Sequence, residues 1–293
     1  MPNNFLEILK EKVLLIDGAM GTQLQAEGLP IGEASEKFNL DHPEIVQKIH
    51  QDYVDAGADI ILTNTFGGSI FKLDANELGD KVAEINRTAA ELARRAAGDS
   101  VFVAGSVGPT GQFLEPLGPV PESRMIENFE VQIKALVEGG IDIVCIETMS
   151  DPLEAVCAIK AAKNVCQLPI IASMTYEQGK AGFRTMMGND VAGCVSQLAA
   201  AGADVIATNC GYGIDHMIGI VELIRQNTQL PVMAEPNAGL PELVGDKAVY
   251  NETSEMMAEK LPRLLAAGVN IVGGCCGTNP DYIRKFREVL DAK

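Results

Sequence analysis

Eight short, almost continuously apolar segments are spaced along this chain of 293 residues, and helical patterns separate them. Strands that are buried on both faces show such unbroken apolar runs, whereas strands with one solvated face alternate apolar and polar residues. The pattern therefore predicts a parallel sheet that is covered by helices. The predicted strands span residues 13–17, 59–64, 101–108, 141–148, 169–175, 204–210, 231–237 and 269–275.

The segments between these strands have helical periodicity and helix-capping residues. Asp151 followed by Pro152 is typical of an N-cap with proline at the first helical position. A glycine recurs where a helix is expected to end and a strand to begin, at residues 56–59, 139–142, 201–204 and 267–270, and glycine readily takes the left-handed conformation that ends a helix. The clearest predicted helices span residues 43–56, 81–97, 151–163, 190–201 and 253–267.

Repeated strand–helix units in a chain of this length favour the α/β class and a TIM (β/α)8 barrel, in one domain over residues 1–293. A doubly wound parallel sheet of eight strands is the alternative. No linker rich in Pro or Ser divides the chain. The longest irregular insert, residues 111–122, follows the third predicted strand and is therefore expected at the catalytic rim.

The formal net charge of −17 excludes two classes of partner. An acidic surface repels nucleic acid and anionic membranes, so we expect neither to bind. The N-terminal residues lack a basic segment followed by an apolar core, and no apolar run approaches the ~20 residues that span a bilayer. We therefore expect a cytoplasmic protein without a signal peptide.

Three of the seven cysteines fall at the predicted active-site face of the barrel. Residues just beyond the C-terminal ends of barrel strands line the active site, and Cys210, Cys275 and Cys276 follow the sixth and eighth strands. In a reducing compartment, disulfides are rare and metal or catalytic roles are favoured. We interpret the other four as structural, because they lie inside a strand or on or beside helices: Cys145, Cys157, Cys166 and Cys194.

Three thiolates suit Zn²⁺, which prefers tetrahedral sulfur or nitrogen ligands. Three protein ligands leave one position open, which is typical of a catalytic zinc site, whereas a structural site has a fourth protein ligand. None of the three histidines, His42, His50 and His216, follows a predicted strand directly, so a catalytic site is the favoured interpretation and a structural zinc site is the alternative.

Three thiolates donate so much charge that their zinc is a poor Lewis acid for hydrolysis. Such a zinc still deprotonates a bound substrate thiol, which otherwise has a pKa near ~8.5 and is mostly protonated at neutral pH. The predicted chemistry is attack by sulfur on an electrophile such as an activated methyl group.

Other polar groups at the strand ends fit an amino acid that carries a thiol. Asp17 and Glu147 are carboxylates available for an ammonium group, and the glycine-rich turn at residues 18–22 offers backbone N–H groups for a carboxylate. Thr63, Asn64 and Asn209 either bind substrate or hydrogen-bond within the barrel.

Seven motifs at these positions resemble the homocysteine S-methyltransferase family. They span nearly the whole chain, and a cysteine after the sixth strand combined with GGCCG after the eighth is highly specific. Within the family, TNTF and PNAGLP are most similar to the N-terminal homocysteine-binding module of cobalamin-dependent methionine synthase. The motifs are IDGAMGTQLQ (16–25), TNTFGGS (63–69), GSVGPTG (105–111), IETMSD (146–151), TNCG (208–211), EPNAGLP (235–241) and GGCCGT (273–278).

The resemblance implies a TIM barrel with zinc on the three rim cysteines, Cys210, Cys275 and Cys276. It also implies that Asp17 and Glu147 hold homocysteine, with its carboxylate near the backbone of residues 19–21 and with Asn237 beside the site. The expected substrate-binding residues are Asp17, Ala19, Met20, Gly21, Glu147, Asn209 and Asn237.

The implied reaction transfers a methyl group to the thiol of homocysteine and gives methionine. The donor is a methylcorrinoid, supplied by a partner protein, or a small compound such as S-methylmethionine. An aromatic cage for betaine is not expected, because the chain has no Trp and only 5% aromatic residues. Two alternatives stay open: a zinc-thiolate enzyme for another thiol or a selenol, and a non-catalytic barrel that senses zinc or thiols.

Overall fold

Eight parallel strands close into a barrel in the computed structural model, which describes residues 5–30, 32–180, 182–244 and 247–292. Each strand pairs with its neighbours along the chain, and an Ile16–Ile60 bridge joins the first strand to the second. This closure confirms the TIM barrel and excludes the doubly wound sheet. The strands are β1 (Leu14–Leu15), β2 (Ile60–Leu62), β3 (Phe102–Val107), β4 (Ile143–Met149), β5 (Ile170–Met174), β6 (Val205–Asn209), β7 (Val232–Glu235) and β8 (Ile271–Val272).

Helices surround the barrel, and the five predicted helices are found with their ends within two residues of the expected positions. Asp151 is the predicted N-cap, since its Oδ1 accepts the N–H of Leu153 at 2.9 Å. The barrel helices are α1 (Pro43–Asp55), α2 (Val82–Ala97), α3 (Glu122–Glu138), α4 (Pro152–Val165), α5 (Val191–Ala201), α6 (Ile214–Asn227), α7 (Ser254–Ala266) and α8 (Pro280–Asp291).

The recurring helix–glycine–strand junction has a physical explanation. Its glycines take left-handed conformations, with φ of 96° at Gly57, 92° at Gly140, 97° at Gly202 and 100° at Gly268. Two positions after each glycine, an Asp or Asn side chain accepts the N–H of a residue at the start of the adjacent strand. These side chains fix the register at the N-terminal end of the barrel, and the pairs are Asp59–Leu15, Asp142–Val103, Asp204–Ile170 and Asn270–Val232.

The N-terminal end of the barrel is closed by the short helix Phe5–Glu11. Phe5 and Leu9 are buried there in the same apolar cluster as the side chains of the barrel interior. The Phe5 ring packs edge-on against Phe102, with the ring centroids 5.5 Å apart. Access to the interior is therefore from the C-terminal end, where the site-bearing loops lie.

The C-terminal face carries elements that the sequence patterns did not predict. A hairpin of Glu177–Gly179 with Gly182–Arg184 follows β5, and a second, of Glu242–Val244 with Lys247–Val249, follows β7. The insert at 111–122 follows β3, as expected. In the described part of the chain, no helix has the length and apolar character needed to cross a membrane. The single-domain organisation over 1–293 stays a prediction.

Candidate metal and substrate site

The three rim cysteines meet at the mouth of the barrel. Cys210 directly follows β6, and its N–H donates to the carbonyl of Glu235 at 3.1 Å, while the N–H of Cys275 donates to the carbonyl of Pro236 at 2.8 Å. The Sγ atoms of Cys210, Cys275 and Cys276 all lie within 4.8 Å of one another. Tetrahedral Zn–S bonds of ~2.3 Å place two sulfurs about 3.8 Å apart. The donor set and its spacing therefore fit a zinc ion.

Glycine at position 273 allows the cysteine-bearing loop to pass against β1. A Cβ atom on Gly273 would lie 2.6 Å from the carbonyl oxygen of Ile16 and 2.7 Å from that of Asp17. The next residue, Gly274, donates its N–H to the Asp17 carbonyl at 3.0 Å. This close approach turns the loop back over the barrel and brings both its cysteines to the mouth.

The cysteine cluster favours negative charge on one sulfur, that of Cys210, because hydrogen bonding to Cys210 raises the pKa of Cys275 and that of Cys276. Hydrogen bonds from Cys275 and Cys276 lower the pKa of Cys210 well below its ordinary value, and a hydrogen bond from Asn237 acts in the same direction. The other four cysteines differ, as expected for structural residues. Burial raises the pKa of Cys157 and of Cys194 to about 11 and also raises that of Cys145, and Cys166 lies half-buried outside the cluster.

A cavity of about 400 Å³ opens beside the cluster. All three rim cysteines line it, together with the turn at residues 18–22 and the side chains that follow β2. Glu147 and Glu235 contribute carboxyl groups to it, and among the described residues that line it there is no Lys, Arg or His. The site can therefore hold a small thiol whose positive group faces the carboxylates.

Glu147 is buried and is held in place by neighbouring side chains. Ser106 Oγ donates to Glu147 Oε1 at 2.5 Å, and Asn209 Nδ2 donates to Oε2 at 3.4 Å. Burial raises the pKa of Glu147 to about 7, and the negative charge of Cys210 acts in the same direction. A cationic group next to Glu147 would stabilise its ionised form.

Asn209 lies behind the cavity rather than on its wall. Besides Glu147, it contacts Ser173, whose Oγ donates to its Oδ1 at 2.7 Å, and Cys275, whose Sγ lies 3.9 Å from its Nδ2. Asn209 thus joins the carboxylate and the metal-ligand candidates in one hydrogen-bonded group. We therefore expect a positioning role for Asn209, whereas the sequence predicted direct contact with substrate.

Of the other candidate substrate-binding residues, three line the cavity and Asp17 does not. Ala19, Met20 and Gly21 line the cavity at the start of the helix Gly21–Ala26, whose first-turn N–H groups have no intrahelical partners. The N–H of Ala19 itself donates to Thr278 Oγ1 at 3.2 Å. Asp17 is not among the lining residues: its Oδ2 accepts the N–H of Leu62 at 2.9 Å, and its Oδ1 is buried without a hydrogen-bond partner.

Glu235 was not among the predicted site residues, although it lines the cavity. The sequence could have indicated Glu235, because it is the last residue of β7 and active-site residues of such barrels lie at the C-terminal ends of the strands. The family resemblance instead implied Asn237, in the same EPNAG segment. Asn237 is buried, with its N–H donating to the carbonyl of Tyr212 at 3.0 Å.

Comparison with known proteins gives concordant results. The family described as homocysteine S-methyltransferase matches residues 14–290. Methionine synthase from Mycobacterium tuberculosis (strain ATCC 25618 / H37Rv) is 30% identical over 300 residues, covering 96% of this chain and 25% of the relative. Methionine synthase from Mycobacterium leprae (strain TN) is 31% identical over 300 residues, covering 96% and 24%. The chain thus spans about a quarter of the length of these curated relatives.

The fold is also shared with a solved structure. The metallated form of the homocysteine methyltransferase MmuM from Escherichia coli has a TM-score of 0.81 and 23% identity, covering 98% of this chain and 99% of that one. The oxidized form gives a TM-score of 0.82 with the same identity and coverage. With the family match over nearly the whole length, we conclude that this chain belongs to the homocysteine S-methyltransferase family.

Proposed function

We propose that the protein binds zinc on Cys210, Cys275 and Cys276 and transfers a methyl group to the thiol of homocysteine, which gives methionine. The observation that carries the proposal is the position of the three sulfurs, within 4.8 Å of one another and on the wall of a cavity with buried carboxylates. A thiol-bearing amino acid has groups that match both parts of this site.

Zinc in this site supplies a positive centre that keeps the homocysteine sulfur ionised at neutral pH. The protein then has to orient the substrate. Glu147 and its neighbouring carboxylates accept the α-ammonium group, and the N–H groups at the start of the helix Gly21–Ala26 face the α-carboxylate. Asn209 contacts both Glu147 and Cys275 and thereby fixes their positions relative to each other.

In the methyl-transfer step, a lone pair on the homocysteine sulfur forms the new bond to the methyl carbon. The bond between that carbon and the donor breaks, and its electron pair stays with the donor. The site holds the sulfur in line with the incoming methyl carbon, and this lowers the entropic cost of reaching the transition state. No protein group needs to take up a proton in this step, because the sulfur is already ionised.

The surface around the cavity favours a methyl donor carried by another protein. Large apolar side chains are exposed on the loops that follow β2, β3, β5 and β7, and the exposed fraction reaches 73% at Leu117 and 74% at Met186. Exposed apolar side chains that gather on one face of a protein mark a candidate protein-binding surface. We therefore infer that the donor is a methylcorrinoid protein. The rim residues are Phe66, Phe113, Leu117, Met186 and Leu240.

An activity screen tests the proposed reaction. Zinc-loaded protein is incubated with homocysteine and, separately, methylcobalamin, S-methylmethionine, betaine or S-adenosylmethionine, and methionine is measured. We expect methionine with methylcobalamin, loss of activity in Cys210→Ser, and retention in the matched control Cys166→Ser, since Cys166 lies outside the cluster. Methionine formation with S-methylmethionine alone would replace the corrinoid donor by a small one. No methionine with any donor would refute the proposal.

A further inference from the structure

Thr278 lies where the cysteine-bearing loop meets the turn at residues 18–22. The loop and the turn both line the cavity, whereas Thr278 is fully buried and is not among the lining residues. Its hydroxyl makes one hydrogen bond to each of them: Oγ1 donates to the carbonyl of Cys275 at 2.7 Å and accepts the N–H of Ala19 at 3.2 Å. One side chain therefore joins a candidate metal ligand to the turn on the cavity wall.

Glycines on both sides of Thr278 allow this close packing. A Cβ atom at Gly18, in the turn, would lie 2.7 Å from Thr278 Oγ1. A Cβ atom at Gly274, in the cysteine-bearing loop, would lie 2.5 Å from the same oxygen. A side chain at either position would push the hydroxyl away, so the two glycines keep the loop, the turn and the hydroxyl in direct contact.

The turn is also held from the side of α1. Tyr53 is fully buried in that helix, and its hydroxyl donates to the carbonyl of Ala19 at 2.8 Å. On the other side, Gln23 Nε2 donates to the carbonyl of Thr278 at 3.4 Å. Because a hydroxyl that donates a hydrogen bond becomes a better acceptor, the bonds of Thr278 to Cys275 and Ala19 strengthen each other.

A metal ion on the cysteines would act on the turn through this chain of contacts. Zinc bonded to Cys275 and Cys276 would restrict the loop, including the carbonyl of Cys275, because the Zn–S distances and the tetrahedral geometry are narrowly defined. The hydroxyl of Thr278 would then be restricted as well, and so would the N–H of Ala19. A turn that is ordered in advance loses less entropy when a ligand binds to it.

We propose that Thr278 couples zinc binding to amino-acid binding, because its hydroxyl lets the zinc-loaded loop hold the turn at residues 18–22 in the conformation that binds the amino-acid end of homocysteine. Thr278 is a positioning residue, since it lies outside the cavity. The coupling is reciprocal, so an amino acid in the cavity should strengthen zinc binding through the same hydroxyl. This inference rests on the proposed function, which places zinc and homocysteine in this site.

Calorimetric binding of L-norvaline tests the coupling. Norvaline has a methyl group in place of the homocysteine thiol and forms no bond to zinc through its side chain. We expect zinc to raise its affinity about tenfold in wild type and in Thr278→Ser, but about twofold or less in Thr278→Val, which lacks the hydroxyl. Thr185→Val is the matched control and should match wild type, because the buried Thr185 hydroxyl accepts the N–H of Asn189 outside the cavity.

An equal effect of zinc in wild type and Thr278→Val, or no effect of zinc in wild type, would overturn the inference. If Thr278→Val fails to fold, or norvaline binds too weakly to measure, hydrogen exchange of the wild-type protein decides. Zinc should slow the exchange of the Ala19 amide, and an unchanged rate would overturn the coupling. Failure of the proposed function gives a different result: homocysteine would bind the zinc-loaded wild-type protein no more tightly than norvaline does.

Discussion

Asn209 holds Thr148 at two points: its Oδ1 accepts the N–H of Thr148 at 2.9 Å, and its Nδ2 donates to Thr148 Oγ1 at 2.7 Å. Thr148 has a φ of 60°, a conformation that β-branched residues rarely adopt and that costs ~1–3 kcal/mol. Since Thr148 directly follows Glu147, these two hydrogen bonds fix the backbone next to Glu147, whose carboxylate also accepts hydrogen bonds from Ser106 and Asn209.

We expect Asn209→Ala to release Thr148 from this conformation. The free energy of unfolding should fall by about 1–3 kcal/mol, because buried groups lose their partners, and homocysteine should bind roughly tenfold more weakly. Urea unfolding and calorimetry measure the two effects. Asn164→Ala is the control, since Asn164 forms an exposed hydrogen bond to Glu130. Unchanged homocysteine binding in Asn209→Ala would argue against the positioning role.

His50 in α1 makes the free energy of unfolding depend on pH. It is fully buried, neither ring nitrogen has a partner among the described residues, and burial lowers its pKa from 6.5 to about 4. The unfolded chain therefore takes up the proton first as the pH falls. The contribution of His50 to the free energy of unfolding is fully present above pH 6.5, its unfolded pKa, and is lost as the pH falls from 6.5 to about 4.

His50→Leu should remove this dependence. At pH 5, wild-type protein should have lost about 2 kcal/mol of unfolding free energy through His50, relative to pH 8, and the variant should lack that loss. Buried carboxylates with raised pKa values change stability in the opposite direction, so the informative quantity is the difference between wild type and variant at each pH. Parallel stability curves for the two proteins would contradict the prediction.

The exposed apolar residues around the cavity should affect the rate of methyl transfer only when another protein carries the methyl donor. A double variant, Leu117→Glu with Met186→Glu, should slow methyl transfer from a purified corrinoid protein at least tenfold, by placing charge in an apolar contact, and leave transfer from free methylcobalamin unchanged. Val131→Glu, on α3 outside the rim, is the control. Equal rates for variant and wild type with the corrinoid protein would show that the rim is not the docking surface.

Gly273→Ala tests the packing of the cysteine loop against β1. The added Cβ would meet backbone oxygens of Ile16 and Asp17 below 3.0 Å, and these cannot move aside as a side chain could. We expect a loss of about 1–3 kcal/mol in unfolding free energy and weaker zinc binding. Gly179→Ala is the control, because the nearest atom to its Cβ would lie 3.8 Å away. Normal zinc affinity in Gly273→Ala would contradict this explanation.

The features that the sequence predicted are those that local patterns encode. Unbroken apolar runs and glycine-terminated helices indicated the barrel, and their order along the chain placed Cys210 and Cys275 at one end of it. The strand ends were predicted less accurately: β1 and β8 each have two ladder residues, whereas the sequence predicted strands over residues 13–17 and 269–275.

The missed features depend on contacts between distant segments. Glu235, like Asp17, has a buried carboxylate oxygen without a partner among the described residues, and no local pattern shows that. Asn209 was predicted at the strand end, but its hydrogen bonds to Thr148 and Ser173 depend on how three strands align. The two rim hairpins are short and polar, so their sequences lack the apolar alternation that identifies longer strands.

Zinc K-edge X-ray absorption tests the central claim most directly. In the zinc-loaded protein, we expect three sulfur ligands at ~2.3 Å and one lighter ligand, and four sulfur ligands once homocysteine is added. Cys210→Ser, measured in parallel, should lower the sulfur count or abolish zinc binding. A protein that binds no zinc, or whose sulfur count stays the same when homocysteine is added, would contradict the claim that this cluster activates the homocysteine thiol.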